Sequence, residues 1–280
     1  MKIKKWAIRS LFQRKRKVNI LLYRYAALFI EGYQKTKFLL LHRDVLNFKY
    51  FFFMGYLFFS AGVGATSVSS QGSFIPNTAA TTIDSILSHR YTHRFEQLFK
   101  QKSLTFPPKK MLFIGMKLDK KLEIWVQEKS KWIHLNTYPI LKSSGSLGPK
   151  RRSGDFQIPE GFYRISALNP YSHYHLSMKI NYPNAFDKKW ALFENRKHLG
   201  GDIFIHGSDR SIGCIALGDH NIEEVYFLAS SMPQLDIDVI LLPYDPQKVA
   251  LKPMNPQSNT LWIKYLYLQL QEKTQRIRGY

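Results

Sequence analysis

Hydrophobic residues in this 280-residue chain recur in two rhythms, one every third or fourth position and one every second. Residues 81–104 follow the first. Ile83, Ile86 and Leu87 share one face and Tyr91, Phe95 and Phe99 continue it, so the spacing predicts an amphipathic helix, which Pro107-Pro108 ends. Short strands come next. Residues 111–115 are a brief apolar run, and residues 121–127 and 132–135 alternate apolar and polar side chains, the period of a strand with one buried face. Further strands are expected at 161–165, 174–180, 203–205 and 236–242. A helix is expected at 221–230, where Ile222, Val225, Tyr226 and Leu228 make the apolar face, and a terminal amphipathic helix at 261–278. No internal repeat is found. The fold class is α+β, mainly β, with a compact strand-rich core and peripheral helices.

Composition supports a packed core, with 45% apolar and 15% aromatic residues, and argues against global disorder. The formal charge of +21 invites a nucleic-acid reading until its distribution is considered. Residues 1–50 hold thirteen Lys or Arg against Glu31 and Asp44, a net of +11. Residues 51–65 carry no charge, which leaves +10 for residues 66–280. Half of the basic excess belongs to a leader, so nucleic acid is not counted among the partners, and a basic surface equally suits an anionic cell envelope.

The leader has its own pattern. Residues 50–60 are apolar, follow Arg43 and Lys49, and precede Ala61-Gly62-Val63-Gly64-Ala65. That is the form of a secretory signal peptide cut after Ala65, and the run is shorter than a spanning helix needs. An uncleaved anchor is the alternative. Residues 20–30, with Lys and Arg around them, have the look of a membrane-surface helix, and a translation start near Val45 or Leu46 would explain their position more simply. The expected location is the periplasm or cell envelope, with membrane contact only through the leader.

Cys214 is the only cysteine, and it lies in the densest run of Gly, Ser and His, residues 200–216. An exported protein that keeps a single thiol has a free reactive cysteine or an intermolecular linker. His206 ends an apolar strand eight residues earlier, and the intervening loop holds two glycines, so it can fold back and bring thiol to imidazole. A backbone carbonyl such as that of Gly207 could orient the ring. The N–H groups near Gly213 and Cys214 could form an oxyanion hole, and Ser211 could hydrogen-bond within the pocket or simply stabilise a turn. Other candidates weaken on inspection. His89 and His93 have metal-ligand spacing, but Arg90 between them disfavours a cation, and solvated surface residues are the better reading. His173 and His175 are two apart on or near a strand and would share a face, but no third ligand is evident. The basic Gly/Ser loop at 143–154 lacks the Gly-Lys-Ser/Thr of a phosphate loop.

His206-Gly207 followed by Ser211-Ile212-Gly213-Cys214 resembles the signature of the L,D-transpeptidases with a YkuD-type catalytic domain, usually His-Gly, a gap, then Ser/Thr-His-Gly-Cys. Residues 154–163 are similar to the family's Thr-Pro-x-Gly-x-Tyr stretch, with Ile158 where Thr is usual. Residues 177–184 look like the YafK-like branch, and so do the isoleucine at 212 and the short gap before Cys214. The resemblance covers roughly residues 108–245.

The resemblance implies a YkuD-type core and peptidoglycan as partner. Cys214 would be the nucleophile and His206 the base, with Gly207, Gly213 and Ser211 shaping the site, and no metal or organic cofactor is required. The thioester would be resolved by an amine in transpeptidation or by water in hydrolysis, the latter as in branch members that release murein lipoprotein. Tyr174, Ser177, Lys179 and Arg210 are candidate substrate contacts, with an ordinary exposed strand or loop face as their alternative. The expected organisation is a basic leader and signal peptide or anchor at 1–65, a linker and helix at 66–107, a catalytic domain at 108–245 and a helical extension at 246–280. A non-catalytic envelope-binding domain is the rival reading, and the intact His206/Cys214 pair argues against it.

Overall fold

The structure, a computed structural model, describes residues 78–254 and 260–279. The leader, the cleavage position after Ala65 and the start of the linker lie outside the described residues.

β1 (Met111–Met116) is buried along its whole length because it runs in mid-sheet, antiparallel to β2 (Lys121–Glu128) and parallel to β9 (Ile237–Leu242). A strand covered on both faces reads as a continuous apolar run. β2 and β3 (Lys131–Pro139) continue this half outward. β5 (Gly161–Ser172) starts beside β9 and then pairs with β6 (His175–Ile180), with register breaks after Ile165 and Asn169. Such bulges let one long strand turn from one half of a sheet into the other. Beyond β6 come β7 (Phe204–His206), β8 (Ile215–Ala216) and β4 (Lys142–Ser143), giving the order β3-β2-β1-β9-β5-β6-β7-β8-β4.

Four helices flank this sheet among the described residues: α1 (Thr78–Gln101), α2 (Ala185–Phe193), α3 (Asp219–Ser230) and α4 (Leu261–Arg278). The α+β, mainly β class therefore holds. On α1, Leu87, Tyr91, Phe95 and Phe99 form the buried stripe, with Phe95 stacked on Phe227 of α3 at 5.7 Å. Ile86, expected on that face, stands 47% exposed, because its neighbour Leu87 is the one in register with 91, 95 and 99. His89 and His93 are exposed on the same helix. α2 was not anticipated. It is nine residues long, and its start is fixed by Asn184, whose side chain accepts from the N–H groups of Phe186 and Asp187 while Asp187 accepts from the Asn184 N–H. No described helix is long and apolar enough to cross a membrane.

A buried ionic knot ties α4 to the loop between β4 and β5. Lys117 Nζ donates to Glu160 Oε1 at 3.0 Å and to the carbonyls of Gly148 and Ile158. The Gly148 N–H also donates to Glu160 Oε1, and Tyr267 Oη on α4 donates to Glu160 Oε2 at 2.5 Å. Both charges are almost wholly buried. The knot sets the path of residues 144–158, and these brace the loop that carries Cys214.

Candidate active site

β7 sits between β6 and β8, with Ser177 opposite His206 across the antiparallel pair and Ile205 opposite Ile215 across the parallel one. One step back along that register, Cys214 comes level with Phe204. His206 lies two residues beyond Phe204 and so shares its face, which makes His206 and Cys214 diagonal neighbours on one face of the sheet. The sequence suggests that the loop folds back. The structure instead joins two parallel strands through residues 207–214, with no crossover helix.

That connection is tightly anchored. The Gly207 N–H donates to Leu176 O, the Ser208 N–H donates to Asp219 Oδ1 at 2.6 Å, and the Leu217 N–H donates to His206 O. A Cβ on Gly207 would lie 2.6 Å from Asp219 Oδ1 and 2.8 Å from Tyr174 O, so only glycine fits. Gly207→Ala is expected to cost about 1–3 kcal/mol of stability through this overpacking. A denaturant midpoint unchanged from the wild type would show that the backbone contact is not needed.

His206 is buried, and its Nδ1 lies 2.5 Å from the Gly207 carbonyl oxygen. A carbonyl only accepts, so Nδ1 carries the proton and Nε2 presents a lone pair. Burial pushes the imidazole below its usual value and so favours the neutral ring, and the Gly207 contact offsets part of this. The Tyr174 ring lies against the imidazole, with centroids 4.8 Å apart.

Cys214 is half-buried, and its Sγ donates to Asp202 O at 3.7 Å. Burial pushes the thiol above its ordinary value of 9.0, opposed by the Phe204 backbone contact and by the positive charge of Lys150. The resting pair is therefore a neutral thiol and a neutral imidazole, not a preformed ion pair. Alkylation of Cys214 by iodoacetamide is expected to be slow at neutral pH and to keep climbing past pH 9, since only the thiolate reacts. A rate that levels off below pH 8 would contradict this.

Thiol and imidazole line one cleft of about 460 Å³, together with Tyr174, Ser177, Arg210 and Ile212. Ser177 is buried beside His206, and its hydroxyl has no hydrogen-bond partner among the described residues. Arg210 is exposed, and no carboxylate pairs with it among the described residues. Lys179 is not in the cleft wall, because its ammonium pairs with Asp202 Oδ1 at 2.7 Å and lies over the Phe204 ring. Gly213 and Ser211 take scaffold positions. The Gly213 N–H donates to Ser144 Oγ at 2.5 Å, and Ser211 Oγ donates to the Cys214 carbonyl at 2.6 Å. Of the two N–H groups considered for an oxyanion, the one at Gly213 is thus engaged, while that of Cys214 has no acceptor among the described residues. Sequence reasoning missed Ser144, Asp219 and the Asp202 carbonyl. Ser144 acts across 69 positions, which no local pattern signals. Asp219 follows Gly218 at the head of α3, where an acidic residue at a helix start was the available cue.

Residues 119–234 match the model of the L,D-transpeptidase catalytic domain named YkuD. The YafK protein of Escherichia coli strain K12, named for the L,D-transpeptidases, is 35% identical over 130 residues, 46% of this chain and 49% of that protein, and YafK of Escherichia coli O157:H7 matches equally. The chain thus spans about half the length of the YafK proteins it matches. Among solved structures, the helical cell shape determining protein Pgp2 of Campylobacter jejuni is 26% identical, with 48% of each chain covered and a TM-score of 0.40. Bd1075 of Bdellovibrio bacteriovorus is 19% identical, with 62% of this chain and 58% of that chain covered and a TM-score of 0.36.

Proposed function

We propose that this chain, whose residues 119–234 match the YkuD-type L,D-transpeptidase catalytic domain and which is similar to YafK, is an exported cysteine enzyme that acts on peptidoglycan stem peptides through a thioester acyl-enzyme. The observation that carries this reading is the neutral imidazole held by the Gly207 carbonyl in the same cleft as the thiol.

In the first half-reaction His206 Nε2 takes the thiol proton as Cys214 Sγ attacks the carbonyl at the L-centre of diaminopimelate in the stem peptide. The Cys214 N–H, without an acceptor among the described residues, supports the charge that develops on the carbonyl oxygen. As the tetrahedral intermediate collapses, the C–N bond breaks and His206 returns the proton to the leaving amine, which leaves the acyl group on sulfur. In the second half-reaction His206 removes a proton from the incoming nucleophile, and the C–S bond breaks to regenerate the thiol. An amine gives a new peptide cross-link, and water gives hydrolysis. Arg210 and Ser177 supply a charge and a hydroxyl to position the donor peptide.

Mass analysis of muropeptides after incubating sacculi with the protein tests the proposal. New cross-links would identify transfer, and loss of lipoprotein remnants would identify hydrolysis with murein lipoprotein as partner. Sacculi unchanged by the wild type relative to Cys214→Ala would refute the enzyme reading. Export is a separate part of the proposal, supported by the leader pattern, and a mature chain beginning at Thr66 is the expected result of N-terminal sequencing.

A further inference from the structure

A second cavity, of about 860 Å³, lies between the loop at 146–157 and the segment at 196–198. It is stitched together rather than left between loose ends. The Ser153 N–H donates to His198 O and Arg196 Nη1 donates to Arg151 O, each at 2.8 Å. The Asp155 carboxylate gathers the N–H groups of Arg151, Arg152 and Gln157 and so fixes the shape of the loop.

Five cations stand in or against its walls, namely Lys150, Arg151, Arg152, Arg196 and Lys197, and two carboxylates, Asp155 and Glu194, oppose them. Both carboxylates are already used. Asp155 pairs with Lys150 at 2.5 Å, and Glu194 pairs with Arg151 at 3.1 Å and Arg196 at 2.7 Å. Among the described residues, Arg152 and Lys197 are exposed on the lining without a carboxylate partner, and Arg151 Nη1 has no acceptor. A concave wall with this surplus charge attracts anions, and guanidinium forks suit planar carboxylates. The volume fits a ligand the size of a short peptide rather than a single small ion.

The cavity shares a wall with the nucleophile's loop. Phe156 and Gln157 line it, the Phe156 carbonyl accepts from Ser144 Oγ at 2.9 Å, and that hydroxyl accepts the Gly213 N–H next to Cys214. We propose that this cavity binds the carboxylates of a second stem peptide, one that neighbours the stem held at Cys214, an inference that rests on the peptidoglycan reading above. The second peptide is thereby held beside the reacting thioester without occupying the donor cleft.

The test is titration of the full chain carrying Cys214→Ala with the free, anionic tetrapeptide stem. Two equivalents are expected to bind, one in the cleft and one in the cavity. Adding Arg152→Gln and Lys197→Gln should weaken the second event at least tenfold, while Arg152→Lys with Lys197→Arg should keep it. A tetrapeptide whose carboxyls are amidated should bind at the cleft alone. A single binding event in both the parent and the glutamine variant overturns the proposal. So does inorganic phosphate that displaces the second equivalent at matching concentration, since that marks a surface for any anion. Failure of the catalytic reading looks different, because sacculi would then stay unprocessed by the Cys214 protein while the two-site titration and its loss persist.

Discussion

Cys214→Ala is expected to abolish processing of peptidoglycan, and His206→Ala to lower the rate by about 10²–10⁴. The size of the second effect follows from the state of the thiol. At its ordinary value of 9.0 a thiol is roughly 1% ionised at pH 7, and burial of Cys214 reduces that fraction further. Little nucleophile is present until something removes the proton. His206 is the group placed to do so, with Nδ1–H committed to Gly207 O and Nε2 without a hydrogen-bond partner among the described residues. The two variants should separate by pH. Without its base, His206→Ala recovers activity as the medium ionises the thiol, so its rate climbs through pH 9 and above. Cys214→Ala stays inactive at every pH. Equal loss in both variants without alkaline recovery would mean that His206 does more than take a proton. A His206→Ala enzyme as fast as the wild type at pH 7 would remove the base assignment.

Glu160→Gln is expected to cost about 3–5 kcal/mol of folding stability, although it lies away from the cleft. The reason is what it leaves behind. Lys117 would lose its carboxylate partner in a site where its side chain is 6% exposed, with the Gly148 and Ile158 carbonyls as its remaining acceptors of full strength. The Gly148 N–H and Tyr267 Oη would compete for a neutral amide oxygen. Against a total stability of about 5–15 kcal/mol, this is about a fifth or more of what holds a domain folded. Denaturant unfolding should show a lower midpoint with an unchanged slope. The double variant Lys117→Met/Glu160→Gln removes the orphaned charge and should regain part of the loss. Tyr267→Phe, which deletes one hydrogen bond to a charged group, should cost about 1.5–3 kcal/mol. A loss under 1 kcal/mol in Glu160→Gln would show that the knot carries little of the stability.

The parts of this account that were legible in the sequence are those written in local patterns. The alternation at 121–127, the apolar run at 111–115 and the stripe on α4 each report burial by neighbours a few residues away. His206 and Cys214 could be paired on paper because both fall in one short run. β8 and β4 could not be seen, since two residues are too few to alternate. For the same reason the parallel joining of β7 and β8 was invisible, although it is what puts thiol and imidazole on one face. Gly213 and Ser211 stand in the motif, but their hydrogen bonds go to Ser144 and to the Cys214 carbonyl, partners that depend on how distant segments pack. Lys179 shows the limit of strand reasoning: it falls in the right strand, yet a carboxylate at 202 holds its charge. The ionic knot escaped notice because it joins positions 117, 160 and 267, and no window along the chain contains all three.

Acyl transfer by this route passes through a thioester on Cys214. Intact-protein mass spectrometry of the enzyme quenched in acid during reaction with a tetrapeptide stem reads it directly. The expected result is an added mass equal to the acyl part of the peptide, mapped to the peptide that contains Cys214, released by hydroxylamine and absent from Cys214→Ala. Turnover of the stem with no adduct at Cys214 at any quench time, or an adduct that persists in Cys214→Ala, would contradict it.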